Sequence, residues 1–287
     1  MKISEQAVLL GAHKSLVGIL TQAIGSAESC DGLAVVILNT GIIHRVGHHR
    51  MYVTFSRALA EAGCTVLRFD LSGIGDSDNR ADGLSPLESS LADIREVLDW
   101  LETTKQVKRI VLVGLCSGAD HAVIYGSSDP RVVGLVLMDP SLPPTMRYFR
   151  DHIGRRFLRL SSWASIARTG SSHLGKMIVE GIVGQLGWDS RNPTLSHPKL
   201  RSQLELVYKR AVEQGIQFLG ILTGDGRQSY REQLLDAFPN VSFSGQLRLE
   251  FFDNCDHVFT LEADRRRLLK IILEWLRETA FHKVAAD

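Results

Sequence analysis

Residues 109–125, RIVLVGLCSGADHAVIY, constrain the fold of this chain more than any other stretch. The segment 110–113 is an uncharged aliphatic run, as a strand buried on both faces of a parallel sheet requires. Small residues then surround one cysteine, Cys116, before apolar residues recur at helical spacing. The pattern predicts a buried strand, a tight turn and a helix, with Cys116 at the turn.

Two glycines make Cys116 the candidate nucleophile of this turn. Gly114 and Gly118 allow strand and helix to approach closely, and such a turn holds the central side chain outward in a strained conformation. Ser117 is the competing candidate, but the residue two positions before it is Leu115, whose Cβ would crowd the turn. A cysteine among small residues is commonly a core residue, yet the strand, turn and helix around Cys116 favour the nucleophile.

Length, charge and cysteine content exclude several classes of protein. A chain of 287 residues with 44% hydrophobic content can bury a sizeable core, which fits one α/β domain with an insertion. The net charge of +1 gives no reason to expect nucleic-acid or membrane-surface binding. Four scattered cysteines indicate reduced, intracellular thiols. Because no apolar stretch approaches the roughly 18 to 20 residues of a membrane span, and no signal peptide is evident, we predict a cytoplasmic protein.

Strands and helices alternate along most of the chain, which predicts a mostly parallel sheet with helices on both faces. An antiparallel hairpin at 6–10 and 16–21 comes first. Buried strands are predicted at 33–39, 64–69, 132–138, 217–223 and 247–252, and helices at 52–62, 86–104, 231–238 and 261–278.

The alternation breaks between residues 141 and 213, where helical patterns occur without a strand. This range is too long for a connection within a compact domain, so we expect a helical cap inserted into a core made of residues 1–140 and 214–287. The cap carries twelve Lys and Arg residues against five Asp and Glu residues. This basic cap either pairs with carboxylates of the core or steers an anionic substrate towards Cys116.

The loop 44–50, HRVGHHR, contributes five basic side chains beside the predicted site. Three histidines could bind a metal, but no carboxylate or cysteine accompanies them at a ligand spacing, so no metal site is predicted. The loop either packs at the start of the next helix, with Asp76 and Asp78 as partners, or offers cations to an anionic substrate. The second alternative names Arg45, His48 and Arg50 as substrate-binding residues.

Residues 70–78, DLSGIGDSD, resemble a dinucleotide-binding fingerprint only in part. The position of the third glycine holds Asp78, and no helix follows, so the stretch predicts a structural turn. No cofactor is predicted.

The chain resembles the α/β-hydrolase superfamily over almost its whole length. The pattern Gly114-x-Cys116-x-Gly118 is similar to its nucleophile elbow, with cysteine in place of the usual serine. The loop 44–50, the turn 68–77 and the elbow also resemble the exosortase A system-associated hydrolase 1 family. That family carries an R-V-G-x-H-R loop, an R-F-D-x-x-G-x-G-D-S turn and a cysteine elbow, although Ser72 stands here where arginine is expected. The resemblance implies a setting in bacterial exopolysaccharide gene clusters.

The resemblance implies a catalytic triad in the chain order nucleophile, acid, histidine. His257 is the expected base because it lies in the loop after the last predicted strand, just before the closing helix. Asp225 is ranked first as the acid and Asp139 second, since Asp225 follows the later strand although it comes one residue early. Asp256 is expected to point elsewhere.

The backbone N–H groups of Ile42 and Ser117 are the expected oxyanion-hole donors, because each follows a turn at the sheet edge. We therefore predict a hydrolase that cleaves an ester or thioester through a Cys116 acyl-enzyme. An acyltransferase and a non-catalytic binding protein are the alternatives. The substrate would be a small or carrier-bound acyl compound, and the sequence does not indicate an oligomeric state.

Overall fold

The computed structural model describes residues 2–25, 32–143, 145–148, 198–225 and 230–279. Eight strands form one sheet in the order β1-β2-β4-β3-β5-β6-β7-β8. They are β1 (Ile3–Leu10), β2 (Leu16–Ala23), β3 (Leu33–Ile37), β4 (Thr65–Phe69), β5 (Arg109–Leu115), β6 (Val132–Met138), β7 (Gln217–Asp225) and β8 (Leu247–Asp256).

Six neighbouring strands run parallel, in the order β4, β3, β5, β6, β7 and β8. Strands β1 and β2 form an antiparallel hairpin, and β2 pairs antiparallel with β4. A short 3-10 helix, His48–Arg50, precedes the first α-helix. The described α-helices are α1 (Met51–Glu61), α2 (Pro86–Lys105), α3 (Ser117–Gly126), α4 (Pro198–Glu213), α5 (Gln233–Ala237) and α6 (Glu262–Thr279).

Alternate residues of the central strands serve two separate cores. In β3, Val36 packs with α2 and α3, whereas Val35 and Ile37 pack with α1 and α6. All five residues of β3 are buried, which explains why the strand has no polar position. The predicted parallel sheet with helices on both faces is therefore confirmed.

Local signals in the sequence define several element ends. Helix α2 begins with a capping box, in which the Ser85 side chain accepts from the Glu88 N–H and the Glu88 carboxylate accepts from the Ser85 N–H. Pro86 occupies the first helical position, where its missing N–H removes no bond. The largest difference from prediction is in β8, which runs four residues beyond the expected end, to Asp256.

Most of the predicted cap, residues 141–213, lies outside the described residues. Its last part is α4, whose Leu204, Tyr208 and Ala211 are buried in the core on the α2 and α3 side. Helix α4 therefore packs with the core. That the rest of the range 141–213 forms a cap stays a prediction. Within the described ranges, no helix is both long and apolar enough to cross a membrane.

Candidate active site

The turn between β5 and α3 holds Cys116 in a strained conformation. Its φ of 59° and ψ of −122° lie in a region that residues with a Cβ rarely adopt. A Cβ on Gly114 would lie 2.1 Å from the backbone of Gly118, and a Cβ on Gly118 would lie 2.5 Å from the Asn39 carbonyl oxygen. Gly114 is therefore required for the close approach of β5 and α3, and Gly118 for the close approach of α3 to the segment that follows β3.

Ser117, the competing nucleophile, has a different position and a different partner. It is the first residue of α3, and its Oγ accepts a hydrogen bond from the Gly41 N–H at 2.8 Å. This contact ties the loop after β3 to the elbow. The Ser117 N–H lies in the first turn of α3, where the helix itself provides no acceptor. The role of this N–H as an oxyanion donor stays a prediction.

His257 directly follows β8 and contacts a carboxylate at the end of β6. Its Nδ1 lies 2.8 Å from Oδ2 of Asp139, which is completely buried. Two further bonds fix that carboxylate, because the Thr223 N–H donates to Oδ1 at 2.7 Å and the Thr223 hydroxyl donates to Oδ2 at 2.5 Å. The imidazole is therefore oriented by a carboxylate that is itself held in place.

Asp139, which the sequence analysis ranked second as the acid, is a carboxylate that contacts His257, and Asp225 as the acid stays a prediction. The backbone of Asp225 pairs with Asp256, while its side chain lies outside the described residues. Asp139 follows β6, the strand between the elbow strand and β7, and its φ of 44° turns the chain sharply there. Asp256 accepts from the N–H groups of Val258 and Thr260, so it caps its own loop, in agreement with the sequence analysis.

The loop that carries the second expected oxyanion donor makes a tight turn after β3. The Ile43 N–H donates to the Thr40 carbonyl at 3.0 Å, and the Asn39 amide donates to the Ile43 carbonyl at 2.9 Å. Ile42 lies at the tip, with 89% of its surface exposed. The Gly41 N–H is used by Ser117, so Ile42 stays the predicted donor.

A family model and one curated relative match parts of this chain. Residues 33–193, more than half of the chain, match the family model described as serine aminopeptidase, S33. The chain belongs to this family. An uncharacterised 31.7 kDa protein of Escherichia coli is 33% identical over 84 residues, a match that spans only 29% of either chain.

Solved structures related to this member of the S33 family share its fold at low identity. An esterase of Pyrococcus furiosus is 17% identical with a TM-score of 0.60, covering 97% of this chain and 92% of its own. A proline iminopeptidase of Mycobacterium smegmatis is 17% identical with a TM-score of 0.58, covering 99% and 100%. A Xanthomonas campestris α/β serine hydrolase without lid is 14% identical with a TM-score of 0.56, covering 97% and 95%. The expected α/β-hydrolase fold is therefore confirmed.

The basic loop 44–50 is less cationic towards the site than its sequence suggests. The Arg45 guanidinium pairs with the buried carboxylate of Asp70 and, at 2.5 Å, with Asp76. The Arg45 backbone N–H also donates to Asp70 at 2.5 Å. The predicted pairing of this loop with Asp76 is observed for Arg45, whose charge is thus used within the fold. A role of Arg45 in substrate binding stays a prediction.

His48 and Arg50, the other expected substrate contacts, differ in their surroundings. His48 is half-buried, and burial lowers its pKa, with the nearby His49 and His257 lowering it further. A lowered pKa favours the neutral imidazole near pH 7, so His48 is a poor partner for an anion. The side chain of Arg50 is exposed, and its backbone adopts the left-handed conformation just before α1. Arg50 stays a predicted substrate contact. Among the described residues, no cluster of three His, Cys, Asp or Glu side chains could hold a metal ion.

The contacts of Arg45 predict very different effects for its two carboxylate partners. Asp70→Asn is expected to lower the free energy of unfolding by about 3 to 5 kcal/mol, because it leaves a half-buried guanidinium beside an uncharged partner. Asp76→Asn is expected to lower it by about 1 kcal/mol or less, because the side chain of Asp76 is 68% exposed. Urea denaturation of both variants measures the difference. Equal losses would mean that the pair does not hold the loop.

The three described cysteines also predict selective alkylation. Cys64 and Cys255 are buried, and burial, followed by Asp264, raises the pKa of Cys255 to about 12. A raised pKa keeps this thiol protonated, and therefore unreactive, throughout the neutral range. Brief treatment with iodoacetamide at pH 7 is expected to label Cys116 first, as peptide mapping would show. Equal labelling of every cysteine in the folded protein would contradict this assignment.

Proposed function

We propose that this chain is a cysteine-dependent hydrolase of carboxylic esters or thioesters. The observation that carries the proposal is the bond from His257 to the buried Asp139, beside the strained elbow of Cys116. In the related fold, the elbow and the loop after the last strand meet at one edge of the sheet. Nucleophile, base and orienting acid would then complete one triad.

In the proposed reaction, His257 Nε2 takes the thiol proton as Cys116 Sγ attacks the acyl carbonyl. The N–H groups of Ser117 and Ile42 stabilise the oxyanion of the tetrahedral intermediate. The imidazolium returns the proton to the departing alcohol or thiol, which leaves an acyl-cysteine. Water, deprotonated by the same imidazole, then releases the acid and restores the thiol.

Asp139 contributes by fixing the tautomer of His257. The carboxylate accepts a hydrogen bond from the Nδ1–H group and so keeps the proton on Nδ1. The lone pair of Nε2 is then available for the thiol proton. The two bonds from Thr223 hold the carboxylate so that the ring is oriented before substrate arrives. The imidazolium that forms in the first step is stabilised by the same negative charge.

The finer assignments rest on the sequence motifs. The Arg45 loop and the turn at Asp70 favour the exosortase A system-associated hydrolase 1 family, and cytoplasmic localisation stays a prediction. The contacts of Arg147 support an anionic substrate less than the charge count of the cap does. Arg147, one of the cap arginines that could guide such a substrate, lies 4.0 Å above the Tyr230 ring and 3.4 Å from the carboxylate of Glu232.

Acyl transfer is the second candidate, because an acyl-cysteine is itself a thioester and reacts readily with amines. Short p-nitrophenyl esters, acyl thioesters and an aminoacyl p-nitroanilide would be incubated with the protein, followed by intact mass measurement. We expect an acyl adduct that water clears. Slow clearance by water with fast clearance by an added amine would favour transfer. Turnover of the anilide alone would favour a peptidase, and the absence of adduct and turnover would favour a binding protein.

A further inference from the structure

Tyr52 lies near the start of α1 and is completely enclosed, with 1% of its surface exposed. Its hydroxyl lies 2.6 Å from Oγ1 of Thr40. The backbone of Leu115 lies close enough to the same phenol to lower its pKa. Burial nevertheless raises the pKa of Tyr52 to about 12, with the charge of the nearby Cys116 adding to the rise, so the hydroxyl keeps its proton.

The two neighbours of this hydroxyl belong to the two halves of the expected oxyanion hole. Thr40 begins the turn that carries Ile42, and Leu115 directly precedes Cys116. Strand β3 ends at Ile37, after which the Leu38 N–H donates to the Val113 carbonyl of β5 and the Gly41 N–H donates to the Ser117 side chain. The Tyr52 hydroxyl adds a further contact between these two bonds, at Thr40.

The ring of Tyr52 also explains a glycine in the basic loop. A Cβ on Gly47 would lie 2.7 Å from the ring, so only glycine allows the loop to cross it. The Tyr52 N–H donates to the Val46 carbonyl at 3.2 Å. The ring, the backbone and the hydroxyl of Tyr52 thus all contact the segment that joins β3 to α1.

We propose that the Tyr52 hydroxyl is a positioning group that sets the distance between the two oxyanion donors, the N–H groups of Ile42 and Ser117. This role rests on the proposed function and names a further residue required for it. Tyr52 does not touch the substrate. It acts by holding Thr40, and with it the turn of Ile42, beside the backbone of Leu115. The ionisation of Cys116 is left to His257.

The test compares acylation with alkylation of Cys116 in Tyr52→Phe. Acylation by p-nitrophenyl acetate passes through an oxyanion, and a displacement of about 1 Å in a catalytic group can cost about 100-fold, so we expect a 10- to 100-fold lower kcat at similar KM. Alkylation by iodoacetamide forms no oxyanion, so its rate and pH profile should stay within about twofold of the wild type.

Tyr125→Phe is the matched control, because Tyr125 is also buried and its hydroxyl donates to Asp129 at 2.7 Å, away from the site. It should keep the wild-type kcat whatever its effect on Tm. Thr40→Val should reproduce the defect of Tyr52→Phe, whereas Thr40→Ser, which keeps the hydroxyl, should lose much less.

Three outcomes would overturn the positioning role. They are an unchanged kcat in Tyr52→Phe, an equal loss in Tyr125→Phe, and an alkylation rate that falls as much as acylation. Failure of the proposed function is distinguishable from these, because Cys116→Ala would then keep its turnover. If only the positioning role fails, Cys116→Ala is inactive while Tyr52→Phe behaves like the wild type.

Discussion

Asp139→Asn is expected to lower kcat by about 10³- to 10⁴-fold, as removal of the charge from a triad acid does elsewhere. The carboxamide oxygen can still accept a hydrogen bond from the Thr223 N–H. The NH₂ group would then face His257, and it cannot accept a hydrogen bond from Nδ1–H. The imidazole then keeps its proton on Nε2 and cannot act as the base for Cys116. Initial rates with p-nitrophenyl acetate measure the effect.

Asp225→Asn separates the two candidate acids, because it removes the same charge from the residue that the sequence ranked first. It should lose far less activity than Asp139→Asn. The reverse order would mean that the contact between Asp139 and His257 is structural and that the acid follows β7. Circular dichroism of both variants excludes a loss of fold as the cause.

Cys116→Ala is expected to abolish turnover, lowering it by about 10⁴-fold or more to the level of the remaining oxyanion stabilisation. Alanine removes the sulfur atom that forms the acyl-enzyme in the proposed mechanism and leaves the His257 and Asp139 pair in place. Cys64→Ala is the matched control, because Cys64 is buried between α1 and the sheet, away from the elbow. Activity in Cys116→Ala equal to that of the control would exclude the cysteine mechanism.

The strand and helix pattern could be predicted because it depends on local signals. The uncharged run at 110–113, the glycines around Cys116 and the Ser85-x-x-Glu88 box each specify their own conformation. Strand β8 was predicted too short because residues 253–256, DNCD, are polar. Its last residues continue the strand by pairing with β7, where Asp256 lies opposite Asp225.

The contact between Asp139 and His257 could not be predicted because it depends on neighbours in space. Asp139 and Asp225 both end strands, and the sequence does not show where the loop after β8 lies relative to either carboxylate. The structure buries the Asp139 carboxylate completely and fixes it with Thr223. No local pattern distinguishes these cases.

The roles of Arg45 and Tyr52 were also outside the reach of local patterns. Arg45 pairs with Asp70, 25 residues away, because β3 and β4 are neighbours in the sheet and their following loops meet. A search for opposite charges after adjacent parallel strands would have found this pair. The Tyr52 hydroxyl carries no such signal, since an aromatic residue in an apolar helix face indicates only a core position.

The most direct test is to locate the first covalent adduct. The protein would be mixed rapidly with p-nitrophenyl acetate, quenched in acid and analysed by intact mass and peptide mapping, beside His257→Ala. The proposed mechanism predicts one acetyl group on Cys116, formed far more slowly when His257 is absent. Release of p-nitrophenol with the acetyl group on Ser117, or with no adduct while Cys116→Ala stays active, would contradict it.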